Sequence, residues 1–178
     1  MKFIATDING VDLIELEKHS DDRGFFARSF CKEELAANGH DFEVVQANLS
    51  FNHHAGTLRG MHYQAAPVGD PKIVRCISGA IYDVVIDLRP GSASYCKWVS
   101  AELSTTNRNS LIIPAGCAHG FLTLEPDTEV LYLMGAPFVP DLASGVRWND
   151  PTFGISWPEK PAIINDRDAN YPDYEPSK

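Results

Sequence analysis

From residue 42 onward the chain alternates between short apolar runs and clusters of Gly, Pro, Asn and Asp. FEVVQANLSF, TLRGMHYQ, KIVRCIS, AIYDVVIDL, KWVSAELS, SLIIP, GFLTL and EVLYLM are each rich in β-branched and aromatic residues, as strands bounded by turns are. Ser78-Gly79, Pro90-Gly91 and Pro114-Ala115-Gly116 supply turn chemistry between them. Helical spacing is convincing only in CKEELAANG (31 to 39), an amphipathic piece that Asn38-Gly39 brings to a stop. The pattern predicts an all-β sandwich or barrel with short peripheral helices.

The runs differ in kind. AIYDVVIDL is nearly continuous in apolar character, as a strand covered on both faces would be, whereas TLRGMHYQ and EVLYLM mix polar and apolar side chains. A jelly roll can enclose a ligand cavity with polar side chains pointing inward. On a regular strand Arg59, Met61 and Tyr63 share one face, and Gly60, His62 and Gln64 the other. Arg59 and His62 therefore reach one cavity only if Gly60 introduces a bulge, or if Arg59 works from the rim. The tail WPEKPAIINDRDANYPDYEPSK is Pro-rich and is expected to wrap over the body. One domain over residues 1–178 follows, with an N-terminal arm at about 1–20 and a C-terminal wrap at about 158–178.

A chain of 178 residues buries roughly 70 % of its unfolded surface, enough for a core without staples. The net charge of −9 disfavours a nucleic-acid partner, which needs a broad cationic patch. Cys31, Cys76, Cys96 and Cys117 form no C-x-x-C pair and no tight cluster, which suits a reducing compartment. No apolar run reaches the length of a membrane helix and MKFIATDING has no signal-like apolar region, so neither a membrane nor export is expected; cytoplasm is the default.

Several blocks then fall in order: DDRGFFARSF, QANLSFNHHAGTLRGMHYQ, DPKIV, IYDVVIDLRPGS, IPAGCAHGFL, VLY, VRWNDP, ISWP and NDRD, spanning residues 21 to 168. Together they resemble the dTDP-4-dehydrorhamnose 3,5-epimerase family. That resemblance implies a cupin-like double-stranded β-helix jelly roll, a homodimer, and action on a nucleotide-diphosphate 4-keto-6-deoxy sugar without metal or organic cofactor.

The chemistry implied is proton exchange at carbons flanking a ketone, through an enolate. It needs a base, a stabiliser for the oxygen charge, and an acid on the other face. His62 suits the base, since an imidazole titrates near working pH and is oriented by a carboxylate on its other nitrogen. The resemblance makes Asp168 that carboxylate, Lys72 the cation near the C4 oxygen, and Tyr132 the opposing proton donor. It makes Arg23 and Arg59 pyrophosphate ligands, a role that suits a planar fork of donors. Gln46 and Asn48 become nucleotide or sugar contacts, His119 a sugar contact and Phe26 a lining of the nucleotide end. Arg167 falls where the family has a basic residue beside the catalytic aspartate.

The match departs from the family at three places. Phe138 stands where a tyrosine is usual, Arg28, itself expected to contact the substrate, where glutamate is common, and Ala143 near a position that is usually acidic. A missing hydroxyl at 138 raises inversion of C3 or C5 alone. Rival readings are a metal-dependent cupin oxygenase, disfavoured because HYQ replaces an H-x-H pair, a sugar-nucleotide 3,4-ketoisomerase, and a non-catalytic nucleotide-sugar-binding domain.

Overall fold

The computed structural model describes residues 1–176; Ser177 and Lys178, the end of the expected C-terminal wrap, lie outside the described residues. Strands β1 (Lys2–Ala5), β2 (Asp12–Glu15), β3 (His19–Asp21) and β4 (Gly24–Phe26) precede helix α1 (Lys32–Ala37). Then follow β5 (Gln46–Asn52), β6 (Leu58–Gln64), β7 (Lys72–Ser78), β8 (Ala80–Asp87), β9 (Trp98–Ser104), β10 (Ser110–Ile113), β11 (Cys117–Thr123), β12 (Thr128–Met134) and β13 (Ala143–Gly145), with helix α2 (Asp166–Ala169) last. A six-stranded sheet runs β1-β2-β10-β7-β12-β5 and a five-stranded sheet β13-β6-β11-β8-β9; β3 and β4 pair only with each other. This is the expected all-β jelly roll.

Most strands sit where the apolar runs predicted, with two instructive differences. FEVV does not extend: the strand starts at Gln46, because residues 41–45 lead in from α1 and Phe42 turns into the cluster beneath it. The N-terminal segment, where the apolar runs marked no strand, holds β1 and β2, which enter the larger sheet through β10. Four-residue strands such as KFIA and DLIE are too short to show a period on their own. Helix α1 buries Leu35 and ends as expected, with Gly39 beyond it at φ +86°.

Three clusters hold the layers together. Between the sheets, Val74 and Val130 meet Ile81, Val85 and Phe121, with Ile8 and Val11 closing one end. Behind the smaller sheet, Met61, Val84 and Ile86 pack under Val146, Phe153 and Trp157. β8 thus contributes to both clusters, which explains its almost unbroken apolar run. Each such large side chain contributes about 1.5–3 kcal/mol when fully buried. The third cluster packs Leu35 and Phe42 against the back of the larger sheet.

The C-terminal segment is pinned to the body on both sides of α2. Upstream, Leu58 donates to the Ile163 carbonyl at 2.8 Å and Ala162 to the Gly56 carbonyl at 2.9 Å. Downstream, the Tyr174 N–H donates to Asp150 at 2.6 Å and its hydroxyl meets that of Tyr95 at 2.8 Å.

Candidate active site

Of the two routes open to Arg59 and His62, the chain takes the bulge. His119 on β11 pairs with His62 and Phe121 with Arg59, so two steps along β11 match three along β6. The extra residue falls at Gly60, whose φ is +137° and where a Cβ would lie 2.5 Å from the Gly120 Cα. Only glycine fits so close an approach of two backbones. The alternation is reset, and Arg59 and His62 line the same hollow.

That hollow, about 320 Å³, lies between the sheets and collects side chains from both. Arg59, His62 and His119 come from the smaller sheet; Lys72, Tyr132 and Asn48 come from the larger one. His62 and Tyr132 therefore face the space from opposite walls. Asp168 reaches it from α2, where Asn165 caps the helix by accepting from the Asp168 N–H at 2.8 Å.

Asp168 is 1 % exposed and both its oxygens are used. Oδ1 lies 2.7 Å from His62 Nε2, and Oδ2 accepts the Gly60 N–H at 3.1 Å. One carboxylate thus ties the bulge to the histidine it orients. Burial alone would raise its carboxyl, but the bonds from His62 and Gly60 and the charge of Arg167 outweigh it and leave the group below its ordinary value. Asp168 is accordingly an anion, and it accepts the Nε2 proton of His62. That contact selects the tautomer in which Nδ1, rather than Nε2, is the nitrogen turned to proton transfer.

Tyr132 shows the reverse balance. Burial pushes its phenol well above the ordinary value, with the Asp83 charge adding to the effect and the Ser50 hydroxyl, 3.4 Å away, opposing it. The phenol keeps its proton. Lys72 is 4 % exposed and donates to Asp70 at 2.5 Å, so its cation is held in place at the wall rather than left to solvent. Arg59 is steadied by Asn52, which accepts from Nε at 2.7 Å.

A smaller recess of about 170 Å³ adjoins the hollow, sharing Asn48, His62 and Met134 and adding Gln46, Phe138 and Arg167. Gln46 donates to Asn48 at 2.8 Å and accepts the Phe138 N–H at 3.4 Å. Gln64, by contrast, is a fastener: it donates to the Gly69 and Pro137 carbonyls and accepts from Val139. Arg167 lies over the Tyr171 ring and reaches the Ala143 carbonyl at 3.4 Å.

Nine of the twelve expected site residues thus line these two spaces. Arg23, Phe26 and Arg28 do not. The β3–β4 hairpin pairs only with itself and stands off both sheets, leaving Phe26 78 % exposed. Arg23 turns to Asp21 and Arg28 to Glu34. Within one chain they are not part of the hollow.

Sequence reading missed two carboxylates. Asp70 holds Lys72, and Asp83, wholly buried on β8, lies 2.7 Å from His119 Nε2. Asp83 had a signal: an acid in the middle of an apolar strand needs a partner. Each histidine thus has its own aspartate, and among the described residues no group of three His, Cys, Asp or Glu is placed to hold a metal ion.

Comparison with known proteins places the whole chain beside one family. A family model described as dTDP-4-dehydrorhamnose 3,5-epimerase matches residues 5–175. A protein of that name from Sinorhizobium fredii is 42 % identical over 173 residues, 97 % of this chain and 89 % of the relative. The crystal structure of a dTDP-4-dehydrorhamnose 3,5-epimerase from Bacillus anthracis with TDP and PPi bound is 40 % identical, with a TM-score of 0.93 and coverage of 97 % of this chain and 99 % of that one. ChmJ, a 3'-monoepimerase from Streptomyces bikiniensis in complex with dTDP-quinovose, is 35 % identical with a TM-score of 0.88, covering 96 % of this chain and 86 % of its own. With a match that runs almost from end to end in both sequence and structure, this chain belongs to the dTDP-4-dehydrorhamnose 3,5-epimerase family.

Proposed function

We propose that this protein is an epimerase that inverts C3, C5 or both of a dTDP-linked 4-keto-6-deoxyhexose by proton removal and return through an enolate. One observation carries the reading: His62, Lys72 and Tyr132 face a single hollow, the imidazole and phenol from opposite sheets. His62 takes the proton next to the ketone, with Asp168 setting its tautomer. Lys72 offsets the negative charge that grows on the C4 oxygen. Tyr132, protonated and on the far wall, returns a proton to the other face. Arg59 faces the pyrophosphate, Gln46, Asn48 and Arg167 the ends of the ligand, and His119 the sugar.

The chain is acidic overall, but Arg59, Lys72 and Arg167 are gathered at these spaces. A few local cations are enough for one pyrophosphate. Arg23, Phe26 and Arg28 enter the reading through a second copy of the chain. Val45, Leu49 and Phe51 are exposed on and beside the edge strand β5, and the β3–β4 hairpin pairs with neither sheet; a homodimer covering that edge can bring the hairpin to its partner's nucleotide. Light scattering at twice the monomer mass is the expected result. Four free thiols suit a reducing cytoplasm.

Incubation with dTDP-4-keto-6-deoxyglucose in D2O, followed by NMR, tests the activity. Deuterium entering C3 or C5 is expected, and its absence at both would reject the epimerase reading. Loss of all exchange on His62→Ala, with nucleotide-sugar binding retained, is expected for the base. Phe138, 63 % exposed at the recess and lacking a hydroxyl, favours a single-centre version. Comparable rates at C3 and C5 would eliminate that version.

A further inference from the structure

Strand β8 carries two fully buried aspartates in opposite circumstances. Asp87 is saturated, accepting from Arg89 Nε at 2.8 Å, Ser92 at 2.5 Å and Ser94 at 2.7 Å. Burial would raise it, but those donors outweigh burial and hold its carboxyl well below the usual range. Asp83 has one partner. Its Oδ1 lies 2.7 Å from His119 Nε2, while Oδ2 is buried with no hydrogen-bond partner among the described residues. Burial raises its carboxyl, even though His119 and Lys72 pull the other way.

Packing gives no reason for this arrangement. An open buried acceptor costs about 1–3 kcal/mol, and β8 is apolar on either side of it. What Asp83 does reach is His119, which lines the hollow among charged or titratable neighbours from every wall. These are His62 from β6, opposite it in register, Lys72 from β7 and Tyr132 from β12, whose ring is 6.3 Å away.

The two histidine–aspartate pairs are therefore set apart by environment. Asp168 has both oxygens satisfied and stays an anion, so it takes the Nε2 proton of His62 and sets that ring's tautomer. Asp83 is a half-satisfied acid in a dry site, an environment that disfavours a net negative pair and favours one sharing a proton with Nε2. In a pair that shares one proton in this way, Nδ1 is the nitrogen of His119 that bears the other.

We propose that Asp83 is a positioning residue that holds His119 as an Nδ1–H donor facing the hollow, a second donor beside Lys72 for the ketone oxygen as the enolate forms. The proposal rests on the epimerase reading for its consequence and on the Asp83–His119 geometry for its cause. A donor aimed at growing charge typically contributes about 10²–10³-fold in rate.

Two measurements test it. In wild-type protein with ¹⁵N-labelled histidine, assigned by comparison with His119→Gln, Nδ1 of His119 is expected to carry a proton at neutral pH; a bare Nδ1 lone pair would overturn the proposal whatever the kinetics. In Asp83→Asn, solvent exchange is expected to slow by about tenfold or more at every centre the wild type exchanges, with KM little changed and the His119 signature altered. A folded Asp83→Asn protein with wild-type exchange and an unchanged His119 spectrum would also overturn it. If Asp83→Asn does not fold, the wild-type spectrum decides alone. Absence of exchange in the wild type would reject the epimerase reading instead, while the spectrum still reports on the pair.

Discussion

Replacing Asp168 by asparagine keeps the side chain's shape and removes its charge. In the native protein the carboxylate accepts two hydrogen bonds, from His62 Nε2 at 2.7 Å and from the Gly60 N–H at 3.1 Å. An amide has one acceptor and one donor end. If its oxygen stays on Gly60, its NH2 faces Nε2 and forces the proton of His62 onto Nδ1, the nitrogen that should take a proton from substrate. If its oxygen faces His62, two donors meet at Gly60 instead. One charge-assisted bond is lost either way, at a cost of about 1.5–3 kcal/mol, which for a chain of this size lowers Tm by about 3–12 °C. The catalytic effect should be larger, about 10²–10⁴-fold in exchange rate, because the base is held in the wrong tautomer. Deuterium uptake read by NMR gives the rate, and a calorimetric melt of the same sample gives the stability. A folded Asp168→Asn protein exchanging within a few-fold of wild type would refute the reasoning, as would a rate loss no greater than the fraction unfolded.

The same variant predicts a pH dependence. The folded-state carboxyl of Asp168 lies below its ordinary value, so its stabilisation is present above the unfolded carboxylate range and is lost as pH falls through the folded value. The gap in Tm between wild type and Asp168→Asn should narrow on acidification, and a constant gap would contradict it. Tyr132→Phe should retain proton removal by His62 but slow inversion by about 10²-fold or more, giving washout of substrate protons without matching product. Gly60→Ala should cost about 1–3 kcal/mol from the backbone alone, since alanine resists φ +137°; the Cβ contact with Gly120 at 2.5 Å adds to this, and equal melting temperatures would exclude the bulge.

Much of the site was legible from local residue pattern together with family resemblance. The strand character of TLRGMHYQ, the odd polarity of its side chains and the glycine between Arg59 and His62 stated the problem that the bulge resolves. The carboxylates behind the two histidines were not legible from local pattern: Asp168, 106 residues from His62, came only with the family resemblance, and Asp83, 36 residues from His119, was missed, since no periodicity reports a contact across such separations. Arg23, Phe26 and Arg28 show the limit from the other side: their motif is clear, yet a self-paired hairpin carries them away from the hollow of their own chain.

The sequence by itself determined the local conformations: short β-branched strands, glycine where two backbones must nearly touch, and the amphipathic helix α1. Tertiary structure alone decided which acids partner which bases, because pairing between distant strands depends on sheet order and register. It also decided their protonation. Whether a buried carboxylate stays charged depends on how many donors surround it, and Asp83, Asp87 and Asp168 differ in that count although they are the same residue.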